Sequence, residues 1–144
     1  MKAKQAHIAT QTISGMLMLL FGYTAISKLA EHAVFYAQLR QFPWLAPAAV
    51  FISWAVPLAE ITVVTLLFFP ASARHGLYAA AALLAVFTLY LLAMVLLKTS
   101  LPCSCGGLIA KMGWKQHILF NIGFIALDIA ALRLSRQSRR YKKV

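Results

Sequence analysis

A chain of 144 residues that is 62% hydrophobic and only 12% charged cannot cover a water-soluble globule, because soluble domains carry about 25% charged residues. Its charge is lopsided, 14 Lys+Arg against 3 Asp+Glu for a formal +11. The basic residues stand at the ends of apolar runs and in a terminal cluster, which argues against nucleic acid as the partner and for the anionic headgroups of a lipid bilayer.

Taken in order, the chain reads as an all-α integral membrane protein, one four-helix bundle with no internal repeat and no second domain. After a short basic start with Lys2 and Lys4, residues 8–27 are apolar or small and uncharged, about the ~20 residues a span requires. Gly15 and Gly22 fall on nearly one face there and predict a close helix contact. The same segment has the outline of a signal peptide, but it is long for one and lacks a good cleavage site. Residues 28–47 form a loop with Lys28, Glu31, His32, Arg40 and Phe42-Pro43-Trp44, in which residues 30–39 predict a short helix lying on the membrane. The second span, 48–69, contains Pro57 and Glu60; a turn with Arg74 follows; the third span covers 76–97. A second long loop, 98–116, holds both cysteines, and the fourth span, 117–134, leads into a basic tail, 135–144.

Four spans put both termini on one side. That side carries Lys2, Lys4, Arg74, Arg133, Arg136, Arg139, Arg140, Lys142 and Lys143; the other carries Lys28, Arg40, Lys98, Lys111 and Lys115. The excess predicts cytoplasmic termini and, in a bacterial inner (plasma) membrane, a cysteine loop on the periplasmic side. Cysteines in that oxidising compartment are normally paired.

Cys103 and Cys105 stand in the run Pro102-Cys103-Ser104-Cys105-Gly106-Gly107. Residues two apart have Cα atoms roughly 5.5–7 Å apart, partly within the range a disulfide accepts. Such a bond closes a small ring, stabilises the fold little and exchanges readily when strained. Lys98, Lys111, Lys115 and a helix start near Trp114 would favour the thiolate. Two unreactive loop cysteines are the bland alternative. Metal binding is a weaker one, because zinc wants four ligands and only His117 is an obvious third; no metal site is assigned.

Polar residues inside spans are the other candidates. Glu60, mid-span, needs a partner or a proton, and Lys28, His117, Tyr23 and Asn121 are its candidate partners. His117, Asn121, Phe124 and Asp128 recur at i, i+4, i+7 and i+11, which makes one inward face. His117 is placed to accept a thiol proton, although a packing histidine reads as well. Asp128 falls near the cytoplasmic end, where Arg74 or a tail arginine can pair with it.

The order Phe21-Gly22-Tyr23, Ser27-Lys28-Leu29, Pro57-x-x-Glu60, Cys103-Ser-Cys105-Gly-Gly and Trp114-x-x-His117-x-x-x-Asn121 resembles the MauE branch of the DoxX-like membrane proteins, from about Ile13 to Asp128. The cysteine loop with the Trp, His and Asn after it is the most specific part. The resemblance implies a four-helix inner-membrane protein associated with redox. It also implies a role in maturing methylamine dehydrogenase, whose small subunit has many disulfides, beside a periplasmic thioredoxin-like protein. Two functions follow: a thiol–disulfide relay through Cys103 and Cys105, with a quinone as candidate electron carrier, or a non-catalytic scaffold for a maturation complex. Assembly as a homo-oligomer is compatible with either.

Overall fold

A computed structural model describes residues 2–97 and 114–141. Backbone polar groups have no water to bond in hydrocarbon, so a spanning chain must satisfy them within itself. The described residues accordingly form helices and contain no strand. In chain order these are α1 (Lys2–Ala30), α2 (His32–Arg40), a 3-10 turn (Ala46–Ala48), α3 (Ala49–Phe68), α4 (Ala73–Leu96) and α5 (Trp114–Tyr141). Four of them, α1, α3, α4 and α5, are long and apolar enough to cross a membrane.

These four pack as a square. α1 lies against α3 and α5, α4 lies against α3 and α5, and the diagonal pairs barely meet. Every strong neighbour pair is therefore antiparallel, as the up-and-down connections require. The centre is filled by Leu17 and Phe21 from α1, Val63 and Leu67 from α3, Leu77, Ala80 and Leu84 from α4, and Ala131 from α5. The outside is equally apolar: Leu19 and Phe51 are 77% and 75% exposed, as lipid-facing residues should be. Both faces of each helix are greasy, so the inward face is marked instead by its small and polar residues. Ser53, Pro57 and Glu60 recur on α3 at i, i+4 and i+7 and are all buried. Pro57 has no N–H for the Ser53 carbonyl, yet α3 continues through it.

The spans occur where the hydropathy of the chain puts them, with longer ends. α1 begins at Lys2 and α5 starts at Trp114. The basic tail also begins as helix, since α5 runs to Tyr141 with no Pro or Gly after Gly123 to stop it. At 1.5 Å per residue α5 is about 42 Å long, more than the ~30 Å hydrocarbon core, so its basic end projects beyond it. The predicted short helix in the first loop is α2.

The glycine expectation is corrected. A Cβ added at Gly15 or Gly22 would meet nothing within 4 Å, so neither marks a close helix contact. The close approach lies at the α3–α4 turn. There a Cβ on Gly76 would sit 2.8 Å from the Leu67 backbone nitrogen and 2.9 Å from two of its side-chain carbons. Ser72 tightens the same turn, its hydroxyl 2.9 Å from the Leu66 carbonyl and 3.3 Å from that of Phe69.

Because the neighbour of Gly76 is backbone, Gly76→Ala should destabilise the bundle, by about 1–3 kcal/mol as overpacking does. Gly15→Ala and Gly22→Ala should be neutral or stabilising by up to ~1 kcal/mol, because alanine is the better helix former. Thermal unfolding of the three detergent-solubilised variants tests this; an unchanged midpoint for Gly76→Ala contradicts the packing.

Candidate functional site

The inward stripe of α1 changes character toward its C-terminal end. Leu17 and Phe21 belong to the apolar centre, and the next residues on that face are Thr24 and Lys28. Glu60 meets them from α3. Lys28 Nζ lies 2.7 Å from Glu60 Oε1, with the two side chains 5% and 0% exposed. Thr24 Oγ1 is 3.0 Å from the same carboxylate oxygen and 3.2 Å from the Phe21 carbonyl, so its one proton serves either acceptor. Phe87 of α4 and Phe35 of α2 hold their ring centroids 5.3 and 5.9 Å from the Lys28 ammonium. The cation is thus paired on one side and faced by aromatic rings on others, each such contact favourable where water is excluded.

Of the four candidate partners of Glu60, Lys28 makes the short contact, and Thr24 joins it without having been foreseen. Its position was legible in principle, one helical turn before Lys28 on the same face. Tyr23, although adjacent to Thr24 in sequence, is 42% exposed.

On α5 the polar face is where the spacing predicted it. His117 and Asn121 are buried in the first turns and Asp128 is 0% exposed deeper in the helix, with Phe124 packed against the apolar centre between them. The rise of the helix separates His117 from Asp128 by about 16 Å along the axis. They therefore belong to opposite halves of the bundle.

The pairing of Asp128 with Arg74 is not formed, nor is one with Arg136, and neither carboxylate oxygen has a hydrogen-bond partner among the described residues. Arg136 lies two turns beyond Asp128 and donates instead to the Tyr78 hydroxyl at 2.6 Å. Arg74 lies beside the same ring, its Cζ 5.8 Å from the centroid.

α2 adds contacts that the sequence did not announce. His32 stacks on Trp54, with centroids 4.3 Å apart, and its Nε2 is 3.1 Å from Ser53 Oγ. Ser53 gives its own proton to the Val50 carbonyl at 2.8 Å, so the His32 Nε2–H is the donor to the serine. At the other end of α2, buried Phe42 packs edge-on to Tyr90 of α4, with centroids 6.2 Å apart. The segment after α1 is therefore tied to both α3 and α4 at the end of the bundle remote from the termini.

Cys103 and Cys105 lie outside the described residues; their segment joins α4 to α5, which places its two anchors at that same remote end. Among the described residues no three His, Cys, Asp or Glu side chains approach closely enough to hold a metal ion.

Four antiparallel spans, with a buried cation–carboxylate pair in the half of the bundle that α2 adjoins, define a multi-pass membrane protein with a polar interior. The sequence matches the family of the methylamine utilisation protein MauE over residues 6–134, nearly the whole chain. The chain belongs to that family, and with it comes a role in methylamine utilisation. No curated protein and no solved structure matches it significantly.

The ion pair makes a sharp prediction. Removing one partner of a buried pair strands the other and costs about 3–5 kcal/mol, whereas replacing both by apolar residues is often near neutral. Lys28→Met and Glu60→Leu should each lower the unfolding midpoint strongly, and the double variant should recover most of the loss. Glu60→Gln should behave like the single losses, since a neutral amide does not compensate Lys28. Additive effects in this double-mutant cycle would mean that the two groups are not coupled.

Proposed function

We propose that this protein is the membrane component of a thiol–disulfide relay serving the maturation of methylamine dehydrogenase. In this reading it lies in a bacterial inner membrane with both termini cytoplasmic, and the Cys103–Cys105 loop meets a thioredoxin-like partner on the periplasmic face. In the reducing direction a thiolate of the pair attacks the partner's disulfide, one partner sulfur leaves as thiolate, and a mixed disulfide forms. The second cysteine then attacks its neighbour, releasing the partner as a dithiol and leaving Cys103–Cys105 oxidised; two electrons have moved outward. The reverse sequence oxidises the partner. Either direction needs a membrane electron carrier to restore the pair, and a quinone is the candidate class.

The observation that carries this reading is the position of His117. It is buried in the first turn of α5, twelve residues after Cys105, on an inward face that it shares with Asn121. A histidine at the start of the helix that follows the cysteine loop is suited to take the proton when a thiol becomes a thiolate. The Lys28–Glu60 pair supplies fixed charge in the same half of the bundle. The burial of Lys28 strengthens the orientation argument, because a lysine paired inside the bundle no longer counts among the loop charges that oppose cytoplasmic termini.

The scaffold reading draws on one observation, that the chain has only two cysteines and so no second pair for an internal relay. Trapping separates the two. With Cys103→Ser or Cys105→Ser, the relay predicts a mixed disulfide with a periplasmic thioredoxin-like protein, stable without reductant and absent from the double variant. The scaffold predicts none, with methylamine dehydrogenase maturation surviving loss of both cysteines.

The pair should also equilibrate with glutathione buffers above about −300 mV, the region below which structural disulfides lie. His117→Gln, which keeps most of the buried volume and removes the titratable ring, should shift that midpoint with a smaller loss of thermal stability than His117→Ala. Reporter fusions at Ser100 and Val144 should report opposite sides of the membrane; the same side for both would overturn the topology.

A further inference from the structure

The end of the bundle that carries the termini has a second polar cluster that the relay does not use. Arg136 of α5 donates to the Tyr78 hydroxyl at 2.6 Å, and Arg74, one turn before Tyr78 on α4, lies against the ring of the same tyrosine. Two guanidinium groups from different helices thus meet at one neutral side chain. Like charges gathered in this way repel, and a carboxylate would normally stand between them. Among the described residues none does, and their only ion pair is Lys28–Glu60.

The chain has three acidic residues in all, and each is accounted for. Glu60 is paired with Lys28, Glu31 lies just before α2 at the opposite end, and Asp128 is buried two turns deeper than Arg136 with no hydrogen-bond partner among the described residues. Arg74 Nε is itself buried and has no hydrogen-bond partner among the described residues. Arg133, exposed one turn before Arg136, adds charge nearby.

Depth identifies the missing acceptor. Arg74 stands one residue inside the start of the apolar stretch of α4 long enough to span, and Arg136 ends that of α5; residues at the ends of such ~20-residue stretches meet the headgroups. The end of α3 and the turn after it present Phe68 and Phe69, both exposed and packed edge-on against each other, which suits the boundary with acyl chains. We infer that Arg74, Tyr78 and Arg136 form a phosphate site, and that its occupant is the phosphodiester of an anionic phospholipid in the leaflet on the side of the termini. Guanidinium forks match phosphate oxygens two at a time, and the Tyr78 hydroxyl, already accepting from Arg136, has its own proton to give. The inference does not depend on the cysteines or on the relay.

The test uses the purified full-length chain in a neutral detergent, with the unfolding midpoint followed during titration with phosphatidylglycerol. Phosphatidylcholine of the same acyl chains and inorganic phosphate serve as the other two ligands. Phosphatidylglycerol should raise the midpoint at concentrations where phosphatidylcholine does not. Arg74→Gln and Arg136→Gln should each weaken its apparent affinity about tenfold or more, the size of one charge-assisted hydrogen bond. Arg136→Lys should weaken it too, because the charge remains and the fork is lost. Arg139→Gln with Arg140→Gln, which removes the same amount of charge or more, should change it less than about threefold, as expected for a diffuse contribution.

Tyr78→Phe provides a milder variant in which the ring and the fold are kept. If inorganic phosphate shifts the midpoint as far and phosphatidylglycerol adds nothing, the site holds but its source is the soluble anion. Equal affinity in the parent chain and the arginine variants, or an equal loss in the Arg139/Arg140 variant, overturns it.

Discussion

The contact on which the bundle most depends is the 2.7 Å bridge between Lys28 and Glu60. Either charge alone inside a span costs several kcal/mol, and the pair is tolerated because each neutralises the other while Thr24 and two aromatic rings occupy the surroundings. That requirement fixes the register of α1 against α3 more strictly than apolar packing does. A helix sliding by one residue against another finds nearly equivalent grease; a lysine sliding away from its carboxylate does not. α2 closes over the same pair: its Phe35 lies against the Lys28 ammonium, its His32 bonds to Ser53 of α3, and Phe42, just after it, packs on Tyr90 of α4.

Packing in lipid offers no hydrophobic contrast between inside and outside, so specificity must come from close approach and from polar groups. This chain uses both. Gly76 lets the start of α4 touch the backbone of α3 at Leu67, and Ser72 bonds back to the preceding helix across the same turn. Elsewhere the buried polar residues are divided between the two ends of the bundle. Lys28, Glu60, Ser53, His117 and Asn121 lie toward the end remote from the termini, with half-buried His32 beside Ser53, and Asp128 lies in the other half with Arg74, Tyr78 and Arg136 beyond it. The apolar centre of Leu17, Phe21, Val63, Leu67 and Leu84 separates them.

Membership of the MauE family links the chain to methylamine utilisation, and the polar end is where the proposed relay would work. A disulfide exchange near a membrane needs a proton acceptor close to the thiols and a fixed electrostatic background, neither of which lipid supplies. In the proposed relay, buried His117 would meet the first need and the Lys28–Glu60 pair the second.

The sequence by itself determined the class, the number of spans and the inward face of α5. These follow from one-dimensional facts: runs of about 20 apolar residues must span, and His117, Asn121 and Asp128 at helical spacing must share a side. The prediction that Glu60 needs a partner belongs here as well, because its cost depends only on its being in mid-span. Only the tertiary structure decided which partner it takes. Lys28, Tyr23, His117 and Asn121 were equal candidates on paper, and the choice of Lys28 depends on how α1 is rotated against α3. For the same reason Gly15 and Gly22 could not be told from Gly76 beforehand, nor could the joining of Arg74 and Arg136 at Tyr78 be foreseen in place of a pairing with Asp128. When both faces of a helix are apolar, periodicity carries no information about rotation, and rotation is what brings two side chains from different helices within bonding distance.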